Sequence, residues 1–411
     1  MSKVKPIGPI PNGYASADGE LVIGGAKVSA LVAEYGSPLF VYSKQLLTNR
    51  IKALRAAMPD ELHIHYAMKA NPFAPLLSHM ADLTDGIDIA SGGELTMALQ
   101  AGAKASNISF AGPGKRDAEL LAAIKAGVTI NIESPSECAR ALDIAAREEL
   151  QPRLAVRVNP NFDLKGSGMK MGGGAKPFGM DIALVVPTVQ SILAANAHWR
   201  GFHIFAGSQA LKAEALIETQ AQTMALAARL AEEIGQQPEH INLGGGFGIP
   251  YFPGDQSVDI ESIGAALAQK LKERPAILQN SQFALELGRY LVGEAGVYLS
   301  QIVDRKQSEG HIFLVTDGGL HHQLAASGNF GTVIRRNYPA AIATRYEAPT
   351  EEIVSIVGCL CTPLDILSDR VEMPSAQVGD IVAIFCAGAY GASASPANFL
   401  GQGAAQEIMV D

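Results

Sequence analysis

Between residues 38 and 247, short runs of β-branched and aromatic residues alternate with longer Ala- and Leu-rich segments whose apolar positions recur at helical spacing. That alternation predicts repeated βα units and a parallel sheet. Eight strands are predicted, at Pro38–Ser43, His63–Lys69, Gly86–Ser91, Ile108–Pro113, Val128–Ser134, Arg153–Pro160, Gly201–Ser208 and His240–Gly246. Eight parallel strands with intervening helices close into a (β/α)8 TIM barrel, whose chemistry sits at the C-terminal ends of the strands. Each predicted strand runs out into polar, Gly or Pro residues, as that arrangement requires. A doubly wound sheet is the alternative, because Gly244-Gly245-Gly246 follows a strand. It is the weaker reading: those glycines sit in the last unit, and no spaced G-x-G-x-x-G follows a strand.

After about Gln282 the pattern changes to β-rich segments separated by turns, at Ala295–Ile302, His311–Val315, Glu352–Val357 and Asp380–Phe385. This predicts a C-terminal β-domain, a sandwich or small barrel, completed by the N-terminal segment, where Leu21–Ile23 reads as a strand. The expected division is a barrel over residues 36–281 and a β-domain from 1–35 with 282–411. A chain of 411 residues exceeds what one core usually serves, which agrees with two domains.

Charge and composition narrow the function. A net charge of −9 without clustered Lys and Arg argues against nucleic-acid binding. The four cysteines are too scattered for a disulfide framework, and Cys359 with Cys361 lacks zinc-ligand spacing, so reduced thiols and no metal are expected. The first 20 residues have no apolar run of signal-peptide length, and the apolar stretch 182–197 is interrupted by Pro187, Thr188 and Gln190. A soluble, cytoplasmic protein with no membrane partner is the expectation.

Candidate chemistry begins at the end of the second predicted strand, His65-Tyr66-Ala67-Met68-Lys69-Ala70-Asn71-Pro72. A lysine at a buried strand end is partly desolvated, which favours the neutral amine that attacks an aldehyde. Phosphates in barrels are gripped by the loops after strands seven and eight. In the predicted order these are Ala206-Gly207-Ser208-Gln209 and Gly244-Gly245-Gly246-Phe247-Gly248. Glu286-Leu287-Gly288-Arg289-Tyr290 adds a carboxylate able to keep a pyridine nitrogen protonated and an arginine able to clamp a phosphate or carboxylate.

Taken together, the blocks HYAMKANP (65–72), DIASGGEL (88–95), RVNPN (157–161), KPFGM (176–180), GFHIFAGSQ (201–209), LGGGFG (243–248), ELGRYLVG (286–293), TDGG (316–319), GCLCTPLD (358–365) and GAYG (388–391) resemble the fold-type III decarboxylases that use pyridoxal 5′-phosphate (PLP). The resemblance covers almost the whole chain. It is strongest to diaminopimelate decarboxylase, more distant to ornithine decarboxylase, and looser to the branch accompanying exopolysaccharide and exosortase loci. It implies that Lys69 holds PLP as a Schiff base, that Glu286 contacts the pyridine nitrogen, and that Ser208, Gly245, Gly246, Arg289 and Tyr390 surround the phosphate or substrate carboxylate. Asp88 and Gly288 fall in the matching cofactor-binding blocks. The reaction implied is loss of the α-carboxylate of an amino acid as CO2, followed by protonation at Cα. Cys361 is implied as the proton donor, delivered from the second chain of a homodimer with shared active sites.

The sequence departs from the family at three places. Phe205 stands where the family stacks a histidine on the ring, and His203 lies two residues earlier on the same strand face, so either could lie against the ring. Thr362 replaces the acidic residue that pairs with a substrate's distal ammonium, which leaves lysine, ornithine and diaminopimelate in doubt unless Asp365 substitutes. Arg335-Arg336-Asn337-Tyr338 occupies the region of the substrate-clamping Arg and Tyr with one residue fewer between them. A tethered or conjugated substrate would suit a neutral Thr362. The other readings are a PLP-dependent amino-acid racemase, against which Glu286 argues, and a silent homologue that binds a partner protein.

Overall fold

A computed structural model describes residues 4–329 and 335–411. The chain divides into two compact units, one formed by Arg50–Gly248 with Ser257–Gly288 and the other by Met1–Asn49, Ile249–Gln256 and Arg289–Asp411.

In the first unit eight parallel strands close on themselves: His63–Ala67, Gly86–Ile89, Ile108–Phe110, Thr129–Ile132, Arg153–Asn159, His198–Ile204, His240–Gly245 and Gln282–Leu287. Strand eight pairs with strand one, where Glu286 stands opposite His65. Their side chains are buried on both faces, so polar residues such as Asp88, Asn131, Arg157 and Asn242 are buried along with the apolar ones that alternate with them. Helices between the strands start where short polar side chains cap free amides. Ser91 Oγ accepts from Glu94 N (3.1 Å), Ser134 Oγ from Glu137 N (3.1 Å) and Asp259 Oδ1 from Ser262 N (3.0 Å). The apolar stretch around Pro187 is the helix Ile182–Ala194, which buries Val185, Val189 and Ile192 and leaves Leu184 exposed. Among the described residues no helix is long and apolar enough to cross a membrane.

Two predicted strand assignments need correction. Leu39–Ser43, read as the first barrel strand, pairs instead with Gly296–Ser308 and Gln406–Val410 in the second unit. The eighth barrel strand is Gln282–Leu287, beyond the expected boundary at 281. All five residues of Leu39–Ser43 are buried, so composition alone could not assign them to one sheet or the other. The loops around Gly207-Ser208 and Gly244–Gly246 therefore follow barrel strands six and seven rather than seven and eight.

The second unit is built around the long strand Gly296–Ser308, which pairs antiparallel with His311–Thr316, Ile381–Ile384 and Leu39–Ser43. The sheet continues through Glu352–Val357 to Ile366–Met373. Glu20–Ile23 supplies Leu21 and Ile23 to a core shared with Leu39, Val41, Val297, Leu299 and Phe385. The N-terminal segment thus belongs to this unit, as the pattern of apolar residues indicated.

Candidate active site

Lys69 lies just past the first barrel strand, in the short turn Met68–Ala70. The turn is fixed from below: Tyr66 OH donates to Asn71 O (2.7 Å), and Asn71 Oδ1 accepts from Phe73 N (3.0 Å). Gly288 packs on it so closely that a Cβ there would lie 3.0 Å from Ala70 Cβ and 3.1 Å from Ala67 O. The Lys69 side chain is 45% exposed, wetter than a residue at a buried strand end is expected to be, because the turn lifts it clear of the barrel core. Its Nζ is 3.9 Å from Glu286 Oε1 and 5.8 Å from the centre of the Phe205 ring.

Glu286 sits on the eighth strand and is 8% exposed. Its Oε2 accepts from His203 Nε2 at 2.8 Å, and His203 is buried. Burial alone would raise the Glu286 pKa, but the His203 hydrogen bond and the charges of His203, Lys69 and Arg157 hold it down to about 2. His203 therefore turns toward Glu286, whereas the Phe205 ring lies on the Lys69 side.

Asp88, on the second strand, is buried with its carboxylate 3.5 Å from His65 Nδ1. Burial is the largest influence on His65 and lowers its pKa, but the charge and hydrogen bond of Asp88 together with the charges of Glu286 and Asp85 outweigh it, with a net rise.

The two glycine loops lie against each other. Ala210 N donates to Gly246 O (2.9 Å), and Gly248 N donates to Ala210 O (2.8 Å). Gly246 has φ +86°, and a Cβ on it would lie 2.5 Å from Gly207 O; one on Gly245 would lie 1.9 Å from Glu286 O. Only glycine lets these backbones meet. Ser208 pairs across from Met169, so the segment 161–181 borders the same loop.

In the second unit Arg289 Nη1 donates to Tyr251 OH (2.8 Å), and its guanidinium carbon is 4.7 Å from the centre of the Tyr390 ring. Its Nε is buried with no hydrogen-bond partner, an open donor for an anion. Tyr338 is buried and packs on Tyr251, ring centres 4.6 Å apart. Arg335 lies apart from that cluster: its Nη2 donates to Leu364 O (3.2 Å), in the loop that carries an exposed Cys361 and a half-buried Thr362. Cys359 donates to Asp317 O (3.4 Å), and Cys386 is fully buried. Asp365 is also buried, its Oδ1 taken by Leu320 N (2.6 Å) and its Oδ2 by Leu360 N (2.9 Å). It is a staple between loops, not a carboxylate open to a distal ammonium.

Sequence reasoning gave no role to Glu94, Arg157 or Tyr251. The charge of Lys69 lowers the Glu94 pKa against a larger rise from burial, and Arg157 does the same for Glu286. The signal for the first two was their place inside the DIASGGEL and RVNPN blocks; Tyr251 carried none.

An amine and a carboxylate 3.9 Å apart, beside an aromatic ring and a glycine cradle that a Cβ would fill, suit PLP. Comparison with known proteins agrees. The family model for the pyridoxal-binding domain of pyridoxal-dependent decarboxylases matches residues 44–293, and the chain belongs to that family. It is a PLP-dependent amino-acid decarboxylase, with a (β/α)8 barrel and a β-domain. Within the family it is 35% identical to L-glutamyl-[BtrI acyl-carrier protein] decarboxylase of Niallia circulans, over 93% of this chain and 91% of that one. Diaminopimelate decarboxylase of Aquifex aeolicus is 32% identical over 96% and 91% of the two chains. The structure of diaminopimelate decarboxylase from M. jannaschii with L-lysine superposes with a TM-score of 0.87 at 27% identity, covering 97% of this chain and 92% of that one.

Proposed function

We propose that the enzyme decarboxylates an amino acid whose distal end carries no free ammonium, such as an aminoacyl conjugate. The observation that carries this reading is the state of Asp365. With Thr362 in place of the family's acidic residue, Asp365 was the candidate to receive a distal ammonium, and both its oxygens are taken by backbone amides. Thr362 Oγ1 instead accepts from Leu364 N at 3.3 Å, and the nearby charged side chain is the cation of Arg335. A buried ammonium without a partner costs several kcal/mol, of the order of 3–5. The similarity to a decarboxylase of a carrier-tethered glutamyl group supports the same substrate class.

In this reading Lys69 binds the PLP aldehyde, Phe205 lies against the ring, and Ser208, Gly245, Gly246, Arg289 and Tyr390 hold the phosphate or the substrate carboxylate. Bound there, PLP supplies a cationic ring that accepts the electron pair left when CO2 departs. Glu286, ionised at any working pH, holds the proton on the ring nitrogen. Cys361 Sγ is the donor of the proton to Cα, acting across a homodimer; its exposure leaves it available to a second chain. A racemase would need a weaker electron sink than the one Glu286 maintains.

The test is CO2 release across free diamino acids, free glutamate and carrier-linked or thioester-linked glutamyl groups. Release from the conjugate far above that from lysine, ornithine or diaminopimelate is expected. Efficient turnover of diaminopimelate would refute the substrate class, and racemisation without CO2 from any of them would refute decarboxylation of these substrates.

A further inference from the structure

His203 and Glu286 stand on barrel strands six and eight, with strand His240–Gly245 between them. Both side chains are buried, and the His203 Nε2 to Glu286 Oε2 distance is 2.8 Å. An ionised carboxylate has only acceptors, so Nε2 carries the hydrogen and donates it. The other ring nitrogen, Nδ1, is buried without a hydrogen-bond partner, so the bond to Glu286 is the only hydrogen bond the His203 ring makes among the described residues. The carboxylate oxygens are divided: Oε2 faces His203, and Oε1 faces Lys69 at 3.9 Å.

We propose that His203 is a positioning residue that fixes the rotation and ionisation of Glu286, so that one carboxylate oxygen stays aimed at the cofactor ring. This rests on the reading of Glu286 as the partner of the pyridine nitrogen. The terminal torsion of a glutamate is soft, with broad two-fold preferences, and a single oriented donor is what removes that freedom. The other charged or titratable groups that act on Glu286 are Lys69, Arg157 and His65. Arg157 is already engaged with Glu133 through a 2.8 Å hydrogen bond, and His65 faces Asp88 at 3.5 Å, so neither replaces the His203 bond. The charge of His203 is a lesser cause, after burial and the charges of His65, Arg200 and His63, of the lowered His240 pKa. The arrangement gives the two ring-bearing residues of this strand end different tasks: the Phe205 ring meets the Lys69 side, and His203 serves the acid.

The test uses the full-length, cofactor-loaded chain as wild type, His203→Leu and His203→Gln. Gln can place a donor near the position of Nε2; Leu cannot. Readouts are cofactor affinity of the stripped protein, the pH titration of the visible Schiff-base band, and kcat separately from KM. His203→Leu is expected to shift the band titration and lower kcat by roughly 10–100-fold with little change in KM, the scale seen when a residue orienting a key ligand is lost. His203→Gln is expected to recover most of both. An unmoved titration with unchanged kcat in His203→Leu overturns the proposal, as does equal loss in both variants with an unmoved titration. If His203→Leu does not fold, His203→Asn, which withdraws the donor from the Nε2 position, takes its place with the same readings. Failure of the underlying reading is distinguishable: the wild type would show no Schiff-base band, or Glu286→Gln would leave the band and kcat unaltered.

Discussion

Lys69 and Glu286, 3.9 Å apart in the barrel unit, are the proposed chemical centre, and each supports a prediction at its own scale. Lys69→Ala is expected to abolish the visible cofactor band along with CO2 release, while Glu286→Gln keeps the band and lowers kcat by about 10²–10³-fold, the effect of removing one preorganised electrostatic group. Absorbance and single-turnover kinetics check both. Glu286 also links pH to stability. Its pKa is about 2 in the folded chain against an ordinary 4.5, so the unfolded chain binds the proton more readily. The stability it contributes is present above the ordinary carboxylate range and is lost as pH falls toward about 2. The gap in melting temperature between wild type and Glu286→Gln should therefore narrow on acidification; a gap independent of pH would count against the ion pair. The proximity of Lys69 and Glu286 was legible in the sequence because each lies inside a contiguous motif. Asp365 was misleading because its partners are backbone amides, which leave no trace in residue type.

At Gly245 and Gly246 the pair of glycine loops has no room for a side chain. Gly245→Ala places a methyl group 1.9 Å from the backbone oxygen of Glu286, so the seventh and eighth strands must part. A loss of about 1–3 kcal/mol of stability is expected, together with weaker cofactor retention, as for other overpacked sites. Thermal melting and dialysis against cofactor measure the two; an unaffected variant would mean the loops have slack the distances deny. Strand patterns predicted the barrel, its helices and the later β-rich segments. They misassigned Leu39–Ser43 and stopped one strand short at Gln282–Leu287, because strands buried on both faces look alike in either sheet. The pairing partners that decide the matter lie far along the chain, from Gly296 and Gln406 onward.

On the scale of the molecule, two expectations concern substrate and assembly. Thr362→Asp should shift preference toward diamino acids by supplying the missing anion, read as the ratio of kcat/KM for diaminopimelate and the conjugate; an unaltered ratio would show that Thr362 does not face the distal group. If active sites are shared between two chains, Lys69→Ala and Cys361→Ala proteins, each inactive alone, should regain CO2 release when mixed under conditions of subunit exchange. No recovery in proven heterodimers would place both residues in a site served by one chain.

Reduction of the purified enzyme with borohydride, followed by mass spectrometry of its peptides, tests the central assignment most directly. A pyridoxyl group fixed to Lys69 is the expected result. A pyridoxyl group on a different lysine, or none on a protein saturated with PLP, would contradict it.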